Sequence, residues 1–226
     1  LERYADGEWK PFFLKGVNLG AAVPGRDPGE LAVTKEQYAL WFKQIAEMGA
    51  NTIRVYTILP PYFYEALVQF NRKHPDTPLY LLQGVWSPEE KLIELKDAYA
   101  PEVDEAFREE IRHAVGAVYG DMTIPEKPGK ASGTYTANAG PYLIGWQVGT
   151  EWDPVVVQKT NEKHASDARY QGEHVAAAQD ASPFESWLSG LLDLLAGEEA
   201  KRGWRHPLGF TNWVTTDPIV APLEPE

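Results

Sequence analysis

The sequence predicts an α/β fold built on a parallel β-sheet, and three observations lead to this prediction. Short apolar stretches rich in β-branched residues alternate with longer stretches in which apolar residues recur every three or four positions, a repeat typical of strands followed by helices. The strands are apolar along most of their length, as in parallel sheets covered by helices. No GxGxxG or Walker-type loop follows the first strand, although doubly wound sheets usually carry a phosphate loop there. We therefore predict an incomplete (β/α)8 TIM barrel, with about the first five strand–helix units in this chain.

Five strands and four helices are predicted in order along the chain. The strands are predicted at residues 12–18, 51–59, 79–86, 144–151 and 208–214. The helices, counted with their capping residues, are predicted at residues 34–49, 62–73, 101–119 and 182–195. A small hairpin is expected before residue 12, and long loops are expected at 121–140 and 155–181. Because long loops in compact domains often carry function, we expect the second loop to form a wall of a ligand cleft.

Capping signals mark two of the helix starts. Thr34 followed by Gln37 has the pattern of a capping box. Ser182, Pro183 and Glu185 supply a cap, a first-turn proline and an N3 glutamate. Both helices are therefore predicted to begin directly after the capping residue.

Composition limits the size of the fold and the kind of partner. The chain has 226 residues, of which 43% are hydrophobic and 24% charged, as in soluble globular domains. We predict a single domain over residues 1–226, and the barrel prediction implies that this domain is truncated. The formal net charge of −12 argues against a nucleic-acid partner, because phosphate binding relies on clustered lysine and arginine. A neutral ligand such as a sugar is compatible with this charge.

Several site classes have no support in the sequence. The chain contains no cysteine, which excludes disulfides and thiolate metal sites. The five histidines show no HExxH spacing, and neither a metal nor another cofactor is predicted. No stretch is long and apolar enough to span a bilayer. No signal peptide opens the chain, and a mature protein would have lost one.

The stretch PYLIGWQVGTEWDP, residues 141–154, is the predicted position of the chemistry. Strand side chains alternate between two faces. One face carries the apolar residues Ile144, Trp146 and Val148, and the other carries Gly145, Gln147, Gly149 and Glu151. A carboxylate at the C-terminal end of a buried parallel strand is where α/β barrels place catalytic groups. The alternative is that Glu151 is a surface carboxylate that ends an ordinary strand.

A second candidate lies in the strand predicted at residues 51–59. Arg54 shares one face of this strand with Tyr56, while the opposite face is largely apolar. An unpaired buried charge is costly, so Arg54 needs a partner. It belongs either to a structural ion pair or to a site.

Five segments together resemble successive strands of the clan A glycoside hydrolases. These segments are KGVNLG (15–20), MGANTIRVYTILPP (48–61), LYLLQGVW (79–86), IGWQVGTEW (144–152) and GFTNWVTTDP (209–218). The resemblance is strongest to bacterial family-2-like TIM-barrel glycosidases, with some likeness to β-glucanosyltransferases around NTIRVY. It covers nearly the whole chain and keeps the family's order of strands.

The resemblance implies roles for particular residues. Retaining enzymes of this clan carry an acid/base glutamate at the end of strand four, which Glu151 matches, and a nucleophilic glutamate at the end of strand seven, which is expected beyond residue 226. Arg54 matches the strand-two arginine that steadies the nucleophile. Thr150 stands where the clan usually has an asparagine that binds the sugar 2-hydroxyl. Glu224 and Glu226 follow strand five too closely to be assigned as the nucleophile.

Further residues near the strand ends are predicted to contact substrate. Trp86 and Trp213 are candidate sugar platforms, with core packing as the alternative. The other candidates are Asn18, Tyr56, Gln147, Thr150, Trp152 and Asn212. Asp153 and Asp217 each precede a proline and are expected to be turn or cap residues.

The prediction that follows is a retaining glycoside hydrolase acting on the O-glycosidic bonds of a β-linked oligosaccharide or polysaccharide. The alternative is a catalytically silent carbohydrate-binding barrel, or a transglycosidase. A retaining enzyme needs two carboxylates about 5–5.5 Å apart, so the isolated chain is expected to be inactive. Five strands leave two bare sheet edges, so we expect self-association or completion by a missing C-terminal segment. The resemblance favours an extracytoplasmic location.

Overall fold

The computed structural model describes residues 2–5 and 7–212, apart from the side chains of Tyr4 and Ala5. The predictions for Trp213, Asp217, Glu224 and Glu226 lie outside the described residues.

The described residues contain nine strands. In chain order they are β1 (Glu2–Ala5), β2 (Glu8–Pro11), β3 (Gly16–Asn18), β4 (Thr52–Val55), β5 (Tyr80–Val85), β6 (Met122–Ile124), β7 (Gly133–Tyr135), β8 (Leu143–Val148) and β9 (Leu208–Phe210). Strands β1 and β2 pair antiparallel, which confirms the predicted N-terminal hairpin.

Six helices accompany these strands within the described part of the chain. They are α1 (Lys35–Glu47), α2 (Pro61–Lys73), α3 (Glu89–Leu95), α4 (Pro101–Tyr119), α5 (Pro154–Lys163) and α6 (Pro183–Ala200). Thr34 and Ser182 form the predicted capping boxes at the starts of α1 and α6. The predicted alternation of strand and helix is therefore confirmed.

A five-stranded parallel sheet flanked by helices organises the fold. Its strand order is β3-β4-β5-β8-β9, which is the order of the strands along the chain. Doubly wound sheets reverse their strand order at a switch point, and this sheet has no reversal among its described strands. The structure is thus an α/β fold with a parallel sheet whose described strands lie in chain order.

The chain divides into two compact units, and the first comprises residues 1–55, 59–82 and 117–144. Its core includes aromatic side chains from α1 and α2. The ring centroids of Tyr38 and Phe63 are 5.0 Å apart, and those of Phe42 and Phe63 are 5.6 Å apart, both edge-to-face. This geometry is favourable for aromatic pairs, and it packs α1 against α2.

The described part of the second unit comprises residues 56–58, 83–116 and 145–212. Four aromatic residues from α4, α6 and the segment after β8 form one cluster in its core. The members of this cluster are Phe107, Trp152, Phe184 and Trp187. The indole N–H of Trp187 donates to Asp104 Oδ1 at 2.9 Å, so its polar atom is satisfied inside the cluster.

Several predicted boundaries and loops were wrong. Strand β4 ends at Val55 and not at residue 59, and β8 ends at Val148 and not at residue 151. The first strand begins at Gly16 and not at residue 12, and Phe13 is 80% exposed. The predicted loop at 121–140 contains the antiparallel hairpin of β6 and β7; the Tyr135 hydroxyl at its end is buried and donates to the carbonyl of Leu59 at 2.9 Å. The predicted loop at 155–181 begins with α5. Only Val156 and Thr160 of this helix are buried, so its sequence lacks the apolar repeat that predicts helices.

Candidate functional site

A sharp turn follows β8 and leads to Glu151. Gly149 has φ +86°, and a Cβ at this position would lie 2.1 Å from Cζ2 of Trp152. The Trp152 ring therefore folds back over the Gly149 backbone. Only glycine combines this left-handed backbone with so close an approach.

Trp152 belongs to the core of the second unit. Its side chain is 3% exposed, and its ring centroid lies 5.3 Å from that of Phe184 and 6.1 Å from that of Trp187. Its indole nitrogen is buried and makes no hydrogen bond to a described residue. Because its side chain is buried in this cluster, Trp152 fixes the backbone directly after Glu151 and offers little surface to a ligand.

Thr150 is held at two of its atoms. Its Oγ1 lies 2.7 Å from Oγ of the buried Ser87, just after β5. Its carbonyl oxygen accepts a 2.7 Å hydrogen bond from the Thr211 hydroxyl, just after β9. Since the Gly149 N–H also donates to the Val85 carbonyl at 2.9 Å, the ends of three strands are tied together at this turn.

Asp153 caps helix α5. Its Oδ1 accepts hydrogen bonds from the N–H groups of Val155 at 2.8 Å and Val156 at 3.1 Å. This confirms the prediction that Asp153 is a cap residue. Because its carboxylate satisfies the first turn of α5, Asp153 is not available as a reacting group.

Glu151 lies between these fixed neighbours, and its side chain is exposed. Thr150 on one side is bound by two hydroxyls, and Trp152 on the other is buried in the aromatic cluster. The chain thus presents a solvent-accessible carboxylate from a backbone that is constrained on both sides. Such an arrangement suits a group that must act on a ligand in a defined orientation.

Two aromatic residues of the second unit keep exposed ring surface. Tyr56 is 38% exposed and Trp86 is 39% exposed. Gln83, which is fully buried, donates to the carbonyls of Thr57 at 3.0 Å and Gly84 at 2.8 Å. Gln83 therefore joins the segment after Tyr56 to the strand that leads to Trp86, a role that the sequence did not suggest.

The remaining predicted residues occupy different environments. Asn18 and Arg54 belong to the first unit and are register partners in β3 and β4; Asn18 is exposed and Arg54 half-buried. Gln147 and Asn212 belong to the second unit and are half-buried. Asn18 and Arg54 are thus brought together by the sheet.

The segment between α5 and α6 lies along α6. The N–H of Tyr170 donates to Ser186 Oγ at 2.8 Å, and its hydroxyl donates to Asp193 Oδ2 at 2.8 Å. The N–H groups of His174 and Val175 also donate to Asp193 Oδ1, at 2.7 Å and 2.9 Å. The predicted role of residues 155–181 as a cleft wall stays a prediction, and the hydrogen bonds of Tyr170, His174 and Val175 named above run to the helix that follows the segment.

Neither a metal centre nor a membrane span is found in the described part of the chain. No three His, Asp or Glu side chains there are grouped so that they could hold a metal ion. None of the described helices is long and apolar enough to cross a bilayer.

Comparisons with protein-family models, with curated proteins and with solved structures found no match to this chain.

Proposed function

We propose that the protein is a retaining glycoside hydrolase acting on a β-linked oligosaccharide or polysaccharide, with Glu151 as its general acid/base. The observation that carries the proposal is the exposed carboxylate of Glu151 just beyond the C-terminal end of β8, on a backbone constrained by Thr150 and Trp152. The resemblance of five segments to clan A enzymes supplies the reaction class.

The proposal includes a (β/α)8 barrel as the scaffold. The chain-order arrangement β3-β4-β5-β8-β9 supports it, because consecutive strands are neighbours throughout a singly wound barrel. In such a barrel the C-terminal ends of the strands carry the site. Glu151, Thr150 and Ser87 all follow the C-terminal end of a strand.

Glu151 would protonate the leaving oxygen and then deprotonate the attacking water. A second carboxylate about 5–5.5 Å away must form and release the glycosyl intermediate. Asp153 does not supply it, because its carboxylate caps α5. The exposed rings of Tyr56 and Trp86 would stack on sugar rings, since pyranose C–H faces pack well on aromatic surface.

The first prediction tests Glu151 directly. In the protein that carries this chain, Glu151→Gln should lower turnover by a factor on the order of 10²–10⁴, because a general acid/base is lost. The loss should be smaller for substrates with activated phenolate leaving groups, which need little protonation. The measurement is kcat on a glycan panel and on matched aryl glycosides with good and poor leaving groups.

Glu94→Gln is the matched control, because Glu94 is an exposed glutamate on α3 of the same unit. This variant should leave turnover unchanged. Equal losses on good and poor leaving groups would contradict the acid/base role. Glycan binding without turnover in the unmodified protein would identify a carbohydrate-binding barrel instead.

A further inference from the structure

Two hydroxyl groups from residues just after neighbouring strands hydrogen-bond to Thr150, the residue directly before Glu151. The segment from Gly149 to Asp153 has no regular secondary structure. In addition to the bond from the Gly149 N–H to the Val85 carbonyl, Ser87 and Thr211 supply hydrogen bonds there. They lie 63 and 61 positions from Thr150 in the sequence, and both contacts depend on the tertiary fold.

Thr211 acts on the peptide plane that precedes Glu151. The carbonyl of Thr150 and the N–H of Glu151 belong to the same planar group. A carbonyl oxygen only accepts hydrogen bonds, so the Thr211 hydroxyl is the donor in this 2.7 Å contact. The bond therefore restricts rotation of that plane, and with it the direction in which the Glu151 side chain leaves the backbone.

Ser87 acts on the side chain of Thr150. The distance of 2.7 Å between the two hydroxyl oxygens is the usual length of an O–H···O hydrogen bond. Ser87 is buried, and a buried hydroxyl without a partner is costly. The pair therefore persists and restricts the side-chain torsion of Thr150 next to Glu151.

We propose that Ser87 and Thr211 are positioning residues for Glu151, acting through Thr150. This inference rests on the proposed function of Glu151 as the acid/base. Removing either hydroxyl lets the Thr150–Glu151 peptide reorient and moves the carboxylate away from the leaving oxygen. Misplacement by about 1 Å lowers a reaction rate by a factor on the order of 10².

The test compares Thr211→Val, Ser87→Ala and the conservative variant Thr211→Ser, each made in the same protein as Glu151→Gln. Thr211→Val and Ser87→Ala should each lower kcat on poor leaving groups by a factor on the order of 10–10² with KM nearly unchanged. The loss should be smaller on activated aryl glycosides, because those substrates depend less on the proton donor. Thr211→Ser keeps the hydroxyl and should restore kcat.

Ser189→Ala is the matched control, because the Ser189 hydroxyl donates to the Glu185 carbonyl at 2.9 Å within α6 of the same unit. It removes a hydroxyl-to-carbonyl bond without touching Thr150, and kcat should stay unchanged. Losses that are equal for good and poor leaving groups, or no loss, would overturn the positioning role while Glu151→Gln behaves as proposed. If Glu151→Gln itself has no effect, the proposed function fails instead.

A measurement that needs no substrate tests independently whether Ser87 and Thr211 hold the backbone around Glu151. Amide hydrogen exchange of residues 149–153 should accelerate in Thr211→Val and Ser87→Ala, and it should return to the original rate in Thr211→Ser. Exchange in α6 should stay unchanged in all three variants. Unaltered exchange at residues 149–153 would overturn the inference regardless of any activity.

Discussion

Gly149 is the residue on which the close packing of the Glu151 turn depends. Its backbone has φ +86°, and the Trp152 ring occupies the space where a Cβ would lie. Two separate costs therefore oppose any side chain at this position. One is the strain of the left-handed backbone, and the other is overlap with a ring that the aromatic cluster holds in place.

Gly149→Ala should destabilise the protein by about 2–5 kcal/mol, as the sum of backbone strain and overpacking. Gly203 is the control for backbone strain alone, because its φ is +77° but nothing lies within 4 Å of a Cβ built there. Gly203→Ala should therefore cost only about 1–2 kcal/mol. Denaturant unfolding of both variants gives the comparison. Equal losses would mean that the Trp152 ring does not lie against Gly149.

At the residue scale, local chemistry was predictable from the sequence and the contacts between distant residues were not. Asp153 before a proline and Ser182 before Pro183 carry their capping signals within a few positions, and both caps were predicted correctly. The hydroxyls of Ser87 and Thr211 meet Thr150 only through the order of the strands. Many serines and threonines in the chain are equivalent by type, so spacing alone could not select these two.

Helix α5 follows the candidate site directly and is held at its C-terminal end by one buried carboxylate. Asp97 accepts hydrogen bonds from Lys163 Nζ, from His164 Nε2 at 2.9 Å and from the N–H of Tyr99 at 3.0 Å. Burial would raise the pKa of Asp97, but the hydrogen bonds from Lys163, His164 and Tyr99 outweigh burial and lower this pKa from its ordinary value. The charged carboxylate therefore stabilises the attachment of α5 to the segment between α3 and α4.

The free energy of unfolding should depend on pH through the ionisation of the Asp97 carboxylate. Since the pKa of Asp97 is lower in the folded protein, its contribution is fully present above the unfolded pKa and is lost as the pH falls through the folded pKa. Asp97→Asn should lower the free energy of unfolding by about 2 kcal/mol at neutral pH, and the difference should disappear in acid. Unfolding midpoints measured from about pH 7 to about pH 2 follow the change.

Asp180→Asn is the control for this experiment, because Asp180 is an exposed carboxylate of the same unit. Its unfolding midpoint should match that of the unmodified protein at every pH. A deficit of Asp97→Asn that stays constant into acid would show that lost packing, and not the charge, causes the destabilisation.

At the element scale, the quality of a prediction followed the strength of the apolar repeat. Helix α4 was predicted with its observed bounds because buried residues recur along its whole length. Helix α5 was missed because only Val156 and Thr160 are buried in it. The segment after α5 packs along α6, and the Tyr170 ring lies so close to Gly190 that a Cβ there would be 3.3 Å from it.

At the scale of the whole molecule, strand order is the property that the sequence predicted best. Five buried strands in alternation with helices, without a phosphate loop, led to the prediction of an incomplete (β/α)8 barrel, in which strands lie side by side in chain order, and the order β3-β4-β5-β8-β9 agrees with that part of the prediction. The closure of such a sheet into a barrel depends on strand tilt and stagger, which a pattern of apolar residues does not encode. Barrel closure is therefore part of the proposal.

The two outer strands of the described sheet lead to the last prediction. Strands β3 and β9 each pair with a single neighbour within the described sheet, and Phe210 on β9 is 40% exposed. Unpaired strand edges that carry apolar side chains promote pairing with another chain. The purified 226-residue chain should therefore associate, with a mass above that of the 25.3 kDa monomer in light scattering.

Phe210→Lys should reduce this association, because a charged side chain on an edge strand opposes pairing with a second chain. The matched control is Ile93→Lys, since Ile93 is 47% exposed on α3 and the substitution makes the same change in charge away from a strand edge. This control should associate as the unmodified chain does. A monodisperse monomer with one cooperative thermal transition would show that the sheet protects its edges in another way. In that case the barrel, and the reading of Glu151 as a residue at its mouth, would have to be abandoned.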